Sequence, residues 1–398
     1  MLFRSARAPS ATSACLCHAT TDTAPVTASD PTEPSPQGLT IGAVFVRFLR
    51  LGLLAFGGPI AQIGMLRQEL VDRERWTTPE RFLRALAIYQ ALPGPEAHEM
   101  CCWLGHLARG RLGAIAAGLG FMLPGFLLML TSAWLYTSYG LHSPTVLAAM
   151  TGMQAVAVAL VVRAVPRIGA RALRPRHAWI PAVAGIVSGL GDMPFGLPLA
   201  FGLIWLPAVN RSRWLALLLV AAFATTAVWL AMPAELRTAT DIVRPAHQQA
   251  TFWMLLGLGL QAGLFTFGGA YTAIPFVRDV AVTQHGWLQP GQFLDGLSIG
   301  SVLPAPLVIF GTFTGYVAGG LSGALAMTVG IFAPAFAFTL IGHAALERWM
   351  HNPRLHGALD GIAAAVTGLI AATAWQLAVP LLQHPTMASI AAVALLIA

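Results

Sequence analysis

Lysine is absent from this 398-residue chain: its 23 lysine-plus-arginine positions are all arginine, against 16 acids. Charge of either sign is scarce, at 10% of residues, while hydrophobic residues make up 56%. A soluble domain carries about 25% charged residues, so a water-soluble globule of this size is excluded for want of polar surface. Four cysteines give no disulfide framework. Cys101 and Cys102 are neighbours in an apolar run, and Cys15-Leu16-Cys17-His18 is too slight a tract to read as a metal site. No Walker A spacing is present, which argues against a built-in ATPase. Residues 1–38 lack an apolar core segment and are not read as a signal peptide. Rich in Ala, Ser, Thr and Pro, they read as a disordered arm outside the fold.

What the chain has in quantity is apolar sequence in runs. From Ile41 onward there are about 10–12 such segments, several long enough for the roughly 20 residues a spanning helix needs. The fold class is therefore an all-α polytopic membrane protein. Two of the runs are interrupted, by Gly57-Gly58-Pro59 and by Pro93-Gly94-Pro95. Proline removes a backbone donor and clashes with the preceding turn, and glycine loosens the chain further. In lipid, such breaks survive only where protein or a water-filled cavity surrounds them. Discontinuous or re-entrant helices are expected, the plainer alternative being a kinked helix.

The chain is also written twice. Phe56-Gly57-Gly58, Trp76, Pro79, Phe82, Pro93 and Pro95 return as Phe267-Gly268-Gly269, Trp287, Pro290, Phe293, Pro304 and Pro306, an offset of 211 residues (56 to 267). After a one-residue slip, Gly105, Gly113, Gly120 and Pro124 return as Gly315, Gly323, Gly330 and Pro334. This divides the chain into the arm, a first repeat at 41–190, connecting transmembrane segments at 191–249 and a second repeat at 250–398.

Arginine placement suggests how the repeats lie. Arg67, Arg73, Arg75, Arg81, Arg84, Arg109 and Arg111 crowd the loops after the first two breaks, where the second repeat keeps only Arg278. Arg348 and Arg354 instead mark the opposite end of the second repeat. Under the positive-inside rule the repeats have inverted topology. Arg167, Arg171, Arg174 and Arg176 read as a cytoplasmic loop, followed by three crossings at 178–190, 194–209 and 214–232. Both termini then fall in the cytoplasm.

Inverted repeats with broken helices are a recurring plan of secondary transporters, and each break offers free N–H groups at a positive helix end. That geometry suits a small anion. The expected substrate-binding residues are Gly57, Gly58 and Pro59, Pro93, Gly94 and Pro95, Gly268 and Gly269, and Pro304, Ala305 and Pro306. Arginine grips oxyanions with a planar fork. Arg47, Arg50, Arg67 and Arg278 are favoured, with Arg163 behind them, although long arginines in such places also snorkel to the interface. Glu96 and Asp360 are ionisable groups in apolar segments and candidates for proton coupling. For Glu96 the bland alternative is a helix cap. His98-Glu99-Met100-Cys101-Cys102 departs from the His-Glu-x-x-His zinc pattern at its last position. Cys102 and His106 share a helical face with His98, so an intramembrane metalloenzyme stands as the alternative of another class. It leaves the repeat unexplained, and neither an enzyme nor a cofactor is expected. The arginines lie in short loops between apolar runs, so no nucleic-acid partner is expected either.

These residues resemble the chromate ion transporters in their long, two-domain form. Phe56-Gly57-Gly58-Pro59-Ile60-Ala61-Gln62 and Leu92-Pro93-Gly94-Pro95-Glu96-Ala97 are similar to the first-domain signature. Phe267-Gly268-Gly269-Ala270-Tyr271, Gly286-Trp287-Leu288, Asp295-Gly296 and Gly315-Tyr316 are similar to the second. The resemblance implies efflux of chromate across the plasma (inner) membrane, driven by membrane potential or proton gradient and giving chromate resistance. Sulfate is the obvious competitor, and a sulfate or other oxyanion exchanger the alternative. The bilayer is the other partner implied, and a homo-oligomer is left open. Ala305 departs from the family, which more often has glycine between those prolines.

Overall fold

In the computed structural model the described residues are 38–139, 144–191, 193–231, 250–266, 269–341, 353–383 and 385–397. Nearly all of the 1–38 arm, and also Gly268 and Arg348, lie outside them. Among the described residues the structure is all helical. Stretches 96–139, 146–172, 307–341 and 357–382 are long and apolar enough to cross a membrane.

Helix α1 (Ile41–Leu53) opens on Thr40, whose hydroxyl accepts from the Ala43 amide at 3.1 Å. It stops where Gly57 and Gly58 take positive φ of 94° and 79°. Pro59, with its fixed φ and no N–H to satisfy, then starts α2 (Gly58–Leu66). A π-helical extension, Arg67–Arg73, leads to α3 (Pro79–Ala91). The Pro93-Gly94-Pro95 break separates α3 from α4 (Glu96–Tyr139). Next comes α5 (Pro144–Ala172), and then three shorter helices follow: α6 (Trp179–Leu190), α7 (Gly196–Arg211) and α8 (Arg213–Ala231).

The second half repeats this order. Thr251 caps α9 (Phe252–Leu264) as Thr40 caps α1, and a break at Gly269 precedes α10 (Ala273–Arg278). Another π-helical segment, Asp279–Gln284, leads to α11 (Pro290–Val302), and a second proline break to α12 (Phe310–Ile341). The chain ends with α13 (Pro353–Leu382) and α14 (Pro385–Ile397).

Both α4 and α12 turn back on themselves. Arg109 and Gly110 leave helical geometry, with φ of –148° and +58°, and Gly319 and Gly320 repeat this at –148° and +63°. A Cβ built on Gly105 would strike the Gly113 carbonyl, and one on Gly113 the Gly105 carbonyl. Gly315 and Gly323 stand in the same relation. Residues eight apart touch only if the chain folds back between them, so each unit is a short limb hairpinned onto a long one. The 13-residue helices α1, α3, α9 and α11 are about 20 Å long at 1.5 Å per residue, against about 30 Å of hydrocarbon.

Small residues bring the backbones together, as in membrane helix pairs generally. Gly52 and Gly120 seat α1 on α4, and Gly263 and Gly330 seat α9 on α12 at the matching positions. Gly185, Gly202, Gly361 and Gly368 do the same between α13 and the α6 and α7 helices. The pairing also crosses over: α6, which follows α5, packs on α13, while α14, which follows α13, packs on α5. Large apolar side chains such as Trp179, Trp214 and Trp253 are exposed on the outer faces, as a lipid-facing surface requires.

Candidate functional site

The proline break of the first repeat approaches the glycine break of the second. The Gly94 amide, inside the first proline pair, donates to the Thr266 carbonyl at the end of the second repeat's first helix, at 2.8 Å. At the matching place in the first repeat the Ala55 carbonyl is taken by the buried Gln62 side chain, at 2.9 Å. A cavity of about 190 Å³ opens beside this junction. Its wall takes Pro59 and Ile60 from the start of α2, Gln90 from the end of α3 and Glu96 from the start of α4. Gly269 and Tyr271 come from the second break, Arg167 and Arg171 from α5, and Asp360 from α13.

Local sequence explains each placement. Pro59 and Glu96 stand in the first turns of helices whose preceding backbone is broken by glycine and proline, where the first amides have no partner within their own helix. Gly269 has φ of +129°, open to glycine alone among common residues, and a Cβ there would meet nothing within 4 Å. Arg163, Arg167 and Arg171 recur every four residues and share one face of α5. Arg167 and Arg171 reach the cavity with their side chains exposed to it, and Arg171 acts on Glu96. Arg163 lies deeper, with one Nη nitrogen buried and without a hydrogen-bond partner among the described residues. The arrangement offers guanidinium forks and backbone amides to an oxyanion, with two carboxyls in the same wall.

Of the sites expected from sequence, Pro59, Gly269, Glu96 and Asp360 line this cavity. Gly57 and Gly58 adjoin it through Pro59; Gly94 and Pro95 are buried just ahead of Glu96, and Pro93 is half-buried. Pro304, Ala305 and Pro306 are buried elsewhere, with Ala305 packed against Gly125 of α4. Gly268 lies outside the described residues.

The favoured arginines do not line the cavity. Arg47 pairs with Glu74, and Arg50 is exposed on α1. Arg67 is exposed, 3.9 Å from Asp72. Arg278 donates to Gln376 at 2.6 Å, and Gln376 in turn donates to the Gly189 carbonyl at 2.9 Å. The basic residues that do line it, Arg167 and Arg171, had read as part of a loop; the structure continues α5 through both. Their i, i+4 spacing with Arg163 was the available signal.

The chromate transporter family model matches residues 42–234 and 253–398. The chain is 52% identical over 352 residues to the chromate transport protein of Pseudomonas aeruginosa, covering 87% of this chain and 83% of the relative. It is 30% identical over 345 residues to the chromate transport protein of Cupriavidus metallidurans, covering 83% and 81%. No solved structure matches the chain.

Proposed function

The chain belongs to the chromate transporter family, and on that premise we propose that it exports chromate from the cytoplasm through the cavity where helix breaks of its two halves meet. The observation that carries this reading is the convergence of both breaks of the first repeat and the Gly269 break of the second, with Arg167 and Arg171, on one small cavity. Chromate is a tetrahedral dianion, and two guanidinium forks together with backbone amides match its oxygens. The relatives are named transport proteins, in keeping with a carrier that makes and breaks no covalent bond.

Arginine distribution supports a plasma-membrane protein with inverted repeats and both termini in the cytoplasm. An inside-negative potential of about 100 mV is worth roughly 2.3 kcal/mol per charge, so expelling a dianion gains about twice that. Membrane potential alone therefore favours export. Glu96 and Asp360 stand in the cavity wall, where ionised carboxyls repel a dianion. A proton on Glu96 removes that repulsion, which links chromate binding to proton occupancy. The inward proton gradient adds to the drive when the proton returns inward in exchange for the exported dianion, and export in cells gives chromate resistance.

The test is uptake of radiolabelled chromate by inverted vesicles under an interior-positive potential. Export in the cell appears there as accumulation, which should saturate with chromate. Well-inserted protein without accumulation would overturn the reading, and transport of labelled sulfate with indifference to chromate would reassign the substrate.

A further inference from the structure

The cavity accounts for Glu96 and leaves Glu99 unused. Glu99 lies one helical turn further along α4 and is fully buried. Neither of its carboxyl oxygens has a hydrogen-bond partner among the described residues. Charge is costly at such a position in a membrane, and a proton removes it. An unpartnered buried acid is therefore a residue held for some use other than packing.

Its neighbours say which use. A Cβ built on Gly94 would overlap Glu99 Oε1, so the carboxyl rests directly on the glycine of the first proline break. The amide of that same glycine ties the first break to the second, through the Thr266 carbonyl. The titratable groups that act on this cluster are Glu96 and Cys102 on α4 and Tyr89 on α3, with Thr339 of α12 bonded to Tyr89. Arg171 of α5 acts on Glu96. His98 is turned away, between the rings of Phe332 and Phe336 at 4.8 and 4.9 Å. In the second repeat the matching positions are Leu307 and Phe310, so the acid pair exists on one side only.

We propose that Glu99 is the proton-carrying residue of the export cycle, exchanging its proton with the cavity through Glu96. This deepens the export reading and rests on the cavity being the chromate path. The proton moves as one O–H bond breaks on the Glu96 carboxyl and another forms on the Glu99 carboxylate, leaving the negative charge on Glu96 at the cavity wall. When Glu99 loses its proton, its carboxylate competes with the Thr266 carbonyl for the Gly94 amide. The contact that joins the two breaks is thereby linked to proton occupancy.

The experiment uses the full chain in proteoliposomes with a pH-sensitive dye inside. Exchange of labelled for unlabelled chromate needs no net proton movement, whereas accumulation driven by a pH gradient at zero potential does. Glu99→Gln is expected to keep exchange at the wild-type rate and to lose gradient-driven accumulation, and Glu99→Asp to regain part of it. A Glu99→Gln variant that accumulates chromate as wild type does, or one that loses exchange and accumulation together, overturns the proposal. Wild-type protein that exchanges chromate and carries it down an imposed potential without any dye response overturns it too, while leaving the export reading intact. Wild-type protein that exchanges no chromate overturns both.

Discussion

Replacing Arg171 with alanine removes one of the two guanidinium groups that line the cavity. At a contact distance of roughly 4 Å and an effective dielectric of about 20, one pair of unit charges is worth about 4 kcal/mol, and a dianion doubles it. Arg171 is exposed to the cavity, so water screens most of this in the wild type and replaces part of it in the variant. What survives is about 1.4–2.8 kcal/mol, a rise of about 10- to 100-fold in KM for chromate. Arg171→Lys keeps the charge but loses the planar fork, and should fall between the two. Arg67→Ala is the control: that side chain is exposed, outside the cavity and 3.9 Å from Asp72, so KM should stay within about twofold of wild type. Initial rates of labelled chromate uptake in inverted vesicles, normalised to inserted protein, give all three values. An unchanged KM for Arg171→Ala, or a larger change for Arg67→Ala, refutes the assignment of the cavity.

Gly269→Val forces a branched side chain onto φ of +129° beside the cavity, at a backbone cost of about 1–3 kcal/mol. Transport should be lost while membrane insertion, followed by detergent-solubilised yield, persists. Gly113→Ala drives a methyl into the Gly105 carbonyl where α4 turns back and should destabilise the protein by about 1–3 kcal/mol, read as a lower midpoint in a thermal-shift assay. Asp295 is buried and accepts from Tyr136 at 2.9 Å and Gln154 at 2.7 Å, joining α11 to α4 and α5. Asp295→Ala leaves both donors unpaired at a cost of about 2–4 kcal/mol, and the same assay should register it.

Much of the fold could be read from residues with strong local effects. The glycine and proline breaks end α1 and α3 where the sequence places them, because consecutive Gly-Gly-Pro and Pro-Gly-Pro remove backbone donors and free the chain over three residues in a row. The repeat was legible because the same devices, down to the Thr40 and Thr251 caps, recur at matching positions. The reversals within α4 and α12 were legible as short gaps between apolar runs at Arg109-Gly110 and Gly319-Gly320, and the packing of Gly105 on Gly113 shows how tightly the chain folds back there. The cavity was half legible. Its breaks are local features, but Arg167 and Arg171 arrive from α5 by tertiary packing, and a count of loop arginines assigns them to the membrane surface. Glu99 gave no signal beyond a failed zinc motif, because its meaning lies in what surrounds it.

The central claim, that helix breaks from both halves bound one chromate site, is tested most directly by locating chromium in the protein. Anomalous diffraction at the chromium edge from crystals grown with chromate should give a peak between Arg171, Pro59 and Gly269. A peak absent there and present elsewhere, for instance beside Arg278 and Gln376, would contradict the account.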